Sequence, residues 1–217
     1  MRNLKKYSNH SGYSVNESLG KIVSICKTEN HVHYEGRPYT HKIEYLQSSG
    51  TQWIDTEIIP DVNTHFKIDC TITNTNNVDY GCLQSNKRFH IGKYTNCFYF
   101  GVGSDWKTTI AQDNARHILE LDSNGTATVD GTDYTVGSGY SGTGITCSLF
   151  LFARNNGTTG KYPTSGNLYA AQISQGGVLV RDMYPVRVGQ VGYMYDRISK
   201  RLFGNSGTGT FTLGPDV

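Results

Sequence analysis

The chain has 217 residues, with 36% hydrophobic residues, 25 glycines and a formal net charge of +2. Its 20 basic and 18 acidic residues are spread along the chain, which excludes the clustered basic surface of a nucleic-acid-binding protein. The apolar content is enough for one sandwich-sized core and argues against wholesale disorder. Abundant Tyr, Thr, Ser, Asn and Gly favour strands and turns over helices.

The first 43 residues differ in character from the rest. Residues 22–26 and 31–34 flank a polar turn and predict a β-hairpin. Because an isolated hairpin is marginally stable in water, we expect it to pair with another surface. We therefore interpret residues 1–43 as an attachment and oligomerisation segment that precedes one domain, residues 44–217. The chain start lacks the apolar stretch of a secretory signal, and no run is long enough for membrane insertion.

Further along the chain, short strands recur at the spacing of a β-sandwich. Apolar and polar residues alternate in residues 65–72, which predicts a strand with one buried face. Asn124 and Gly125 predict a tight hairpin turn. Residues 147–152 are apolar on nearly both faces, as is typical of a central strand. The pattern predicts an all-β fold of two antiparallel sheets.

The C-terminal part predicts another hairpin. An alternating apolar strand at residues 192–196 is followed by a polar turn and a short return strand. Glycine-rich stretches at residues 101–104, 137–144 and 157–166 predict loops. We expect binding groups to gather in such loops at one end of the sandwich.

Three ordered sequence blocks resemble a known family. The first is EYLQSSGTQWIDT at residues 44–56, and the second is the N-G-T…V-D-G pattern within residues 119–131. The third comprises residues 166–174, residues 178–187 and the terminal hairpin. Together they resemble the laminin-G-like, concanavalin A-like jelly-roll domains of tailed-phage virion proteins, such as those of crAss-like phages of gut Bacteroides. Some gut-bacterial surface proteins carry similar domains.

This resemblance covers most of residues 43–217 and implies a two-sheet antiparallel jelly roll. It further implies a non-enzymatic structural protein of the virion, a head fibre, decoration or tail component, that is assembled in the host cytoplasm and displayed on the virion surface. Its partners would be other virion proteins, held through residues 1–43. We expect a homo-oligomer, and a trimer would suit a fibre. The five cysteines form no CxxC pair and fit reduced, buried thiols.

An enzyme is the first alternative, because some concanavalin-like folds are glycoside hydrolases with three carboxylates at alternate strand positions. Here Glu120 and Asp122 supply two, but position 124 is Asn in a turn. Glycoside hydrolysis needs a separated acid and nucleophile or base. We therefore predict no catalytic residue and assign Glu120 and Asp122 to a strand surface and a turn.

We also predict no cofactor and no metal site, and calcium is the one ion that stays open as an alternative without support from a motif. Laminin-G-like domains often hold calcium at one rim, but this sequence contains no calcium-loop motif. Aspartates in turns usually accept backbone hydrogen bonds instead. The candidate calcium ligands that this interpretation sets aside are Asp55, Asp79, Asp105, Asp122, Asp130 and Asp133.

Binding of a host-surface glycan or receptor has a physical basis in the aromatic residues. Sugar C–H faces pack on aromatic rings, and polar groups fix their orientation. In predicted loops we select Trp106, Tyr140, Arg154 and Tyr162 as candidate binding residues. The alternative is that these residues cap the core or form subunit contacts. A bacterial surface carbohydrate-binding or adhesion module remains the second functional alternative.

Overall fold

The computed structural model describes residues 36–74 and 78–217. These residues form strands, turns and loops, without a helix. Residues His41–Val217 form one compact unit. The hairpin predicted within residues 22–34 lies outside the described residues.

The strands are short and numerous, and two of them reach 11 residues. In chain order they are β1 (His41–Lys42), β2 (Leu46–Ser49), β3 (Ile54–Asp55), β4 (Thr64–Thr71), β5 (Val78–Gln84), β6 (Lys87–Tyr94), β7 (Cys97–Gly103), β8 (Asp105–Ala111), β9 (Arg116–Asp122), β10 (Thr126–Val129), β11 (Thr132–Thr135), β12 (Phe150–Leu151), β13 (Arg154–Asn155), β14 (Gly160–Lys161), β15 (Ser165–Gln175), β16 (Val178–Val188), β17 (Val191–Asp196), β18 (Arg201–Phe203) and β19 (Thr212–Leu213).

The strands form two sheets that pack as a sandwich. The first sheet has 11 strands in the order β11-β10-β9-β4-β15-β16-β17-β18, with β1 on β16, β2 on β15 and β19 on β2. The second has 8 strands in the order β14-β13-β5-β6-β7-β8, and β12 joins β3 to β5. Among the described strands, β13 and β5 form the one parallel pair. The predicted all-β, two-sheet antiparallel sandwich is thereby confirmed.

The core lies between the sheets and is built by period-two alternation. In β4, Phe66, Ile68 and Cys70 are buried, as predicted, and they alternate with half-buried polar residues. In the second sheet, Phe89 of β6 and Phe100 of β7 are fully buried. Neighbouring residues along a strand point to opposite faces of the sheet. The residues that alternate with Phe89 in β6 and with Phe100 in β7 therefore lie on the outer face of the second sheet.

Of the three predicted hairpins, the two that fall within the described residues are present. Asn124 and Gly125 connect β9 to β10, and Gly125 has a positive φ of 96°. The C-terminal hairpin is formed by β17 and β18, with Asp196 opposite Arg201. In each case the turn chemistry and the flanking alternation gave the correct local structure.

Three element predictions were wrong in part, and one of them is the loop at residues 157–166, which contains β14 and the first residues of β15. Residues 147–152 are buried apart from the half-buried Ser148, but the strand is limited to Phe150–Leu151, and Phe152 takes a left-handed backbone with φ of 65°. The loop predicted at residues 101–104 is largely strand, because β7 continues to Gly103. Glycine was interpreted there as a turn former, whereas it serves a close approach of side chains within a sheet.

The N-terminal side of the compact unit includes residues that we had assigned to the attachment segment. His41 and Lys42 pair with Arg187 and Val186 of β16. Ile43 is buried and forms an isolated bridge with Asp216. Residues 41–43 are therefore part of the first sheet.

Candidate functional site

The candidate site lies on the outer face of the second sheet. A row of paired residues crosses five strands in the order Arg154, Gly81, His90, Gly101 and Trp106. Residues directly opposite one another on neighbouring strands share a face of the sheet. The strand register therefore brings a cation, an imidazole and an indole to one surface.

A second row runs beside the first. Asp79 of β5 pairs with Gly92 of β6, Gly92 pairs with Tyr99 of β7, and Tyr99 pairs with Thr108 of β8. Large or polar side chains thus alternate with glycines along the first row, and in the second row Gly92 separates Asp79 from Tyr99. The glycines leave space over the sheet that neighbouring side chains occupy.

Distances at two of these glycines show what occupies that space. A Cβ on Gly92 would lie 2.5 Å from Oδ1 of Asp79, and a Cβ on Gly101 would lie 2.5 Å from Nε2 of His90 and 2.6 Å from Cδ of Arg88. The carboxylate, the imidazole and the stem of Arg88 therefore lie close against the sheet. Glycine within a strand often marks such a close approach.

Three aromatic rings form a contiguous cluster above this polar layer. We call Tyr94, Tyr99 and Trp106 the aromatic cluster. The centroids of Tyr94 and Tyr99 are 5.8 Å apart, those of Tyr99 and Trp106 are 5.7 Å apart, and those of Tyr94 and Trp106 are 6.5 Å apart. Trp106 is 54% exposed. These separations are typical of interacting aromatic pairs, and the cluster is open to solvent.

Arg154 and Tyr162 lie near the aromatic cluster, towards the end of the second sheet that is formed by β13 and β14. The guanidinium of Arg154 lies 4.2 Å from the ring centroid of Tyr162, which is exposed. Its Nη1 lies 3.2 Å from Oδ2 of Asp79. The backbone N–H of Asp79 donates to the carbonyl of Tyr162, which fixes this loop beside β5. Arg154 therefore contacts both the carboxylate of Asp79 on the sheet and the exposed ring of Tyr162.

Asp79 is buried on this face, with 3% of its surface exposed. Burial raises the pKa of its carboxyl to about 7, although the positive charges of Arg154 and Arg88 oppose the rise. The carboxyl is therefore close to half-protonated near neutral pH.

His90 is fully buried beneath the cluster, with its ring centroid 4.8 Å from that of Tyr99. Neither ring nitrogen has a hydrogen-bond partner among the described residues. Burial, together with the charges of Arg154 and Arg88, holds the pKa of His90 well below its ordinary value. The imidazole is therefore neutral at physiological pH.

Two adjacent depressions lie on this face and share the rings of Tyr94 and Tyr99. The smaller has a volume of about 140 Å³, and the larger about 260 Å³. The smaller is lined by Asp79, Lys93, Tyr94, Tyr99, Arg154 and Tyr162. The larger is lined by Arg88, Tyr94, Tyr99 and Trp106. Each is smaller than the pocket of a drug-sized ligand and fits a group of roughly monosaccharide size.

The structure brings three of the four predicted binding residues to this face: Trp106, Arg154 and Tyr162. Trp106 lies on β8 and Arg154 on β13, so the prediction that they belong to loops was wrong. Tyr162 does lie in a loop, directly after β14. The site is thus centred on a sheet face rather than on a rim of loops.

Tyr140 is placed elsewhere, and this corrects its selection as an exposed binding residue. Its side chain is 4% exposed and belongs to the hydrophobic core. The backbone N–H of Tyr140 donates to the carbonyl of Ser123 at 2.7 Å, which holds the glycine-rich loop against the β9–β10 turn. The loop is anchored in this way with the Tyr140 ring directed inward.

The carboxylates weighed for glycoside hydrolysis lie on the first sheet. Glu120 lies 3.0 Å from Nε2 of His65 and forms an ion pair with Lys67 at 3.2 Å. Asp122 accepts the backbone N–H of Asn124 at 2.8 Å. These contacts are those of a strand surface and a turn.

Three of the aspartates considered for calcium accept backbone hydrogen bonds, one within a turn and two from residues distant in the sequence. Asp55 accepts the N–H of Glu57, Asp105 accepts the N–H of Ser138, and Asp130 accepts the N–H of Ile118. Within residues 36–74 and 78–217, no group of three His, Cys, Asp or Glu side chains is arranged to hold a metal ion. Over the same residues, no helix has the length and apolar character needed to cross a bilayer.

Sequence comparisons add no relative to this description. A scan against protein-family models and a search among curated proteins found no match for the chain. The site must therefore be interpreted from its own geometry.

Proposed function

We propose that this chain is a non-enzymatic surface protein of a tailed-phage virion, and that its jelly-roll domain binds a carbohydrate on the outer face of the second sheet. The laminin-G-like, concanavalin A-like class of the domain is part of the proposal. It is supported by the three sequence blocks and is compatible with the two-sheet antiparallel sandwich.

The observation that carries the binding role is the aromatic cluster, with Trp106 54% exposed beside two arginines. Sugars present C–H faces that pack on aromatic rings, while charged and polar groups fix the hydroxyls. Large exposed rings grouped on one face are also unusual for a surface without a partner.

The non-enzymatic part of the proposal is supported by the carboxylates of the site. Among the described residues that line the two depressions, Asp79 is the only carboxylate. Its side chain is buried against Gly92 and paired with Arg154. Hydrolysis of a glycoside by the usual mechanism needs two carboxyl groups that flank the bond.

The virion part of the proposal derives from the sequence resemblance. Residues 1–40, the part of the predicted attachment segment that precedes the first sheet, would attach to capsid, tail or sister subunits, and the sandwich would be displayed outward in several copies. Multiple copies would compensate for modest affinity at each site. The free thiols of Cys70, Cys82, Cys97 and Cys147 are compatible with assembly in a reducing cytoplasm.

The binding role is tested on a glycan array with the wild type, Trp106→Ala and Val191→Ala. Val191 is a matched control, since it is 53% exposed but lies on β17 of the first sheet. We expect Trp106→Ala to lose the signal and Val191→Ala to keep it. Equal binding by all three proteins would remove the aromatic cluster from the binding site.

Virion membership is tested separately. We expect portal, capsid and tail genes beside the gene for this chain, and the protein itself in purified particles. A polysaccharide-utilisation cluster beside the gene would instead support the bacterial adhesion module.

A further inference from the structure

We propose that the carbohydrate bound at this face is acidic, and that Arg88 binds the carboxylate of a uronic-acid residue whose ring stacks on the aromatic cluster. This inference rests on the proposed function and adds the chemical class of the ligand. The inference depends on Arg88, a charged side chain that lines the larger depression and has no ion-pair partner among the described residues.

Arg88 lines the larger depression with Tyr94, Tyr99 and Trp106. Its Nε is buried, and it has no hydrogen-bond partner among the described residues. No carboxylate of the described residues forms a salt bridge with it, whereas Arg116 on the first sheet pairs with Asp69 at 2.7 Å. Since the Nη groups are not among the buried atoms, they are the donors of this guanidinium that a ligand can reach.

A carboxylate is the acceptor that best matches this group. The planar guanidinium donates two parallel hydrogen bonds to a planar carboxylate, and such charge-assisted bonds are stronger than those to a sugar hydroxyl. In a uronic acid the carboxylate is attached directly to the pyranose ring. One residue can therefore stack on Trp106 or Tyr99 and reach Arg88 at the same time.

The charge balance of the face also favours an anion. Arg88, Arg154 and Lys93 contribute three positive charges to the two depressions, and Asp79 is the one carboxylate among their described lining residues. Because burial raises the pKa of Asp79 to about 7, its negative charge is incomplete near neutral pH. Asp105 belongs to the neighbouring β8, but its carboxylate accepts the N–H and the hydroxyl of Ser138. His90 is buried and neutral, so it does not offset the excess.

The two arginines differ in role. Arg154 already pairs with Asp79 and stacks on Tyr162, so its contribution is to shape the smaller depression. Arg88 has no such partner and is the group free to bind an anion. Since the depressions share Tyr94 and Tyr99, we place the acidic residue in the larger and the next sugar of the chain in the smaller.

The experiment compares matched pairs of oligosaccharides by isothermal titration calorimetry. Oligogalacturonate, oligoglucuronate and oligomannuronate are each titrated beside the same oligosaccharide after carboxyl reduction to the neutral hexose. We expect at least one acidic form to bind the wild type about tenfold or more tightly than its reduced form, as a charge-assisted hydrogen bond provides.

Variants assign the preference to Arg88. Arg88→Gln should abolish the difference between acidic and reduced forms, and Arg88→Lys should retain part of it. Lys107→Gln is the control, because Lys107 is exposed beside Trp106 but pairs with Phe100 and lies in the opposite strand phase. Thermal unfolding of each variant verifies the fold, and Arg88→Lys provides the test should Arg88→Gln fail to fold.

The outcomes separate this inference from the proposed function. Equal binding of acidic and reduced forms, weakened by Trp106→Ala, would overturn the acidic ligand and keep carbohydrate binding. An acid preference that survives Arg88→Gln would also overturn the role of Arg88. A glycan array without a signal for any neutral or acidic sugar would overturn both.

Discussion

The guanidinium of Arg154 lies 3.2 Å from the carboxylate of Asp79 on the outer face of the second sheet. Their strands, β13 and β5, form the one parallel pair among the described strands. Asp79 is buried, and a buried charge is tolerated when a partner of opposite sign is held next to it. The pair thus connects the floor of the smaller depression to the strand that carries Arg154.

Replacing Asp79 by Asn should change how stability depends on pH. The folded-state pKa is raised from 3.8 to about 7, so between these values the folded protein holds a proton that the unfolded chain releases. Wild-type stability from this group therefore falls as pH rises from 4 to 8, while Asn does not titrate. We expect the variant to gain roughly 2–4 kcal/mol relative to the wild type over that interval.

Urea unfolding of both proteins at several pH values measures this difference directly, since all other titrating groups are common to both. Parallel stability curves across pH 4 to 8 would show that Asp79 ionises normally. The interpretation of Asp79 as a partly protonated group on the site floor would then be wrong.

The two glycines beneath the site should respond differently to alanine. A Cβ on Gly92 would clash with the backbone carbonyl of Val78 as well as with Asp79, and a backbone atom cannot move aside cheaply. A Cβ on Gly101 would meet side-chain atoms of His90 and Arg88. We expect Gly92→Ala to lower the free energy of unfolding by about 2–4 kcal/mol and Gly101→Ala by less.

Gly101→Ala should nevertheless weaken ligand binding, because it displaces the stem of Arg88. Chemical denaturation and calorimetric titration of the same preparations test both statements. A larger stability loss in Gly101→Ala than in Gly92→Ala would contradict the close packing described for β6.

His117 should stabilise the first sheet in a pH-dependent manner. Its Nε2 lies 2.8 Å from Asp113 and its Nδ1 lies 2.6 Å from Asp130. Burial lowers the pKa of His117, but the two carboxylates outweigh this effect and raise it above 6.5. The stabilisation is therefore complete below pH 6.5 and is lost as pH rises through the folded-state pKa.

His117→Gln should accordingly destabilise the protein more at pH 6 than at pH 9. Thermal unfolding of wild type and variant at the two pH values measures the effect. An NMR titration that gave His117 an ordinary or lowered pKa would refute the expectation.

Replacement of Asp196 should lower the free energy of unfolding more than replacement of most other carboxylates of the fold. Asp196 is fully buried and accepts the backbone N–H groups of Asp182 at 2.8 Å and Ser199 at 2.9 Å, and the Ser199 hydroxyl at 2.6 Å. Asp196→Ala leaves buried donors without an acceptor and should cost about 3–5 kcal/mol. Asp122→Ala, which removes a turn contact to Asn124, should cost about 1 kcal/mol.

Equilibrium unfolding in urea compares these two turn variants under one set of conditions. Similar losses for both would mean that the buried hydrogen bonds of Asp196 contribute no more than an exposed turn contact. The C-terminal hairpin would then depend on strand pairing alone.

Much of the fold follows from local sequence. Alternation in residues 65–72 predicted β4 and its buried face, and Asn124 with Gly125 predicted the β9–β10 turn, because side-chain period and turn chemistry act over a few residues. The extent of the strand within residues 147–152 was harder to predict, because a buried apolar run has the same sequence pattern whether or not its backbone forms the hydrogen bonds of a sheet.

The site was harder to predict from the sequence, because its residues are brought together by the pairing register of several strands. Trp106 lies beside Tyr99 because β7 and β8 pair in one particular alignment, which neither strand encodes alone. The available signal was glycine within otherwise strand-like segments, at positions 92 and 101. Tyr140 misled the prediction, since flanking glycines suggest an exposed loop and do not reveal the hydrogen bond that anchors it to Ser123.

Carbohydrate binding on the aromatic cluster is tested most directly by the two tryptophan indole N–H signals in a ¹⁵N–¹H NMR spectrum. Trp53 is an internal control, because it stacks on Phe150 at 6.5 Å and does not line either depression. Trp106→Phe assigns the signals. On titration with the oligosaccharide bound most tightly in calorimetry, we predict a saturable shift of the Trp106 signal and a stationary Trp53 signal. A stationary Trp106 signal in the presence of a bound sugar would contradict the account.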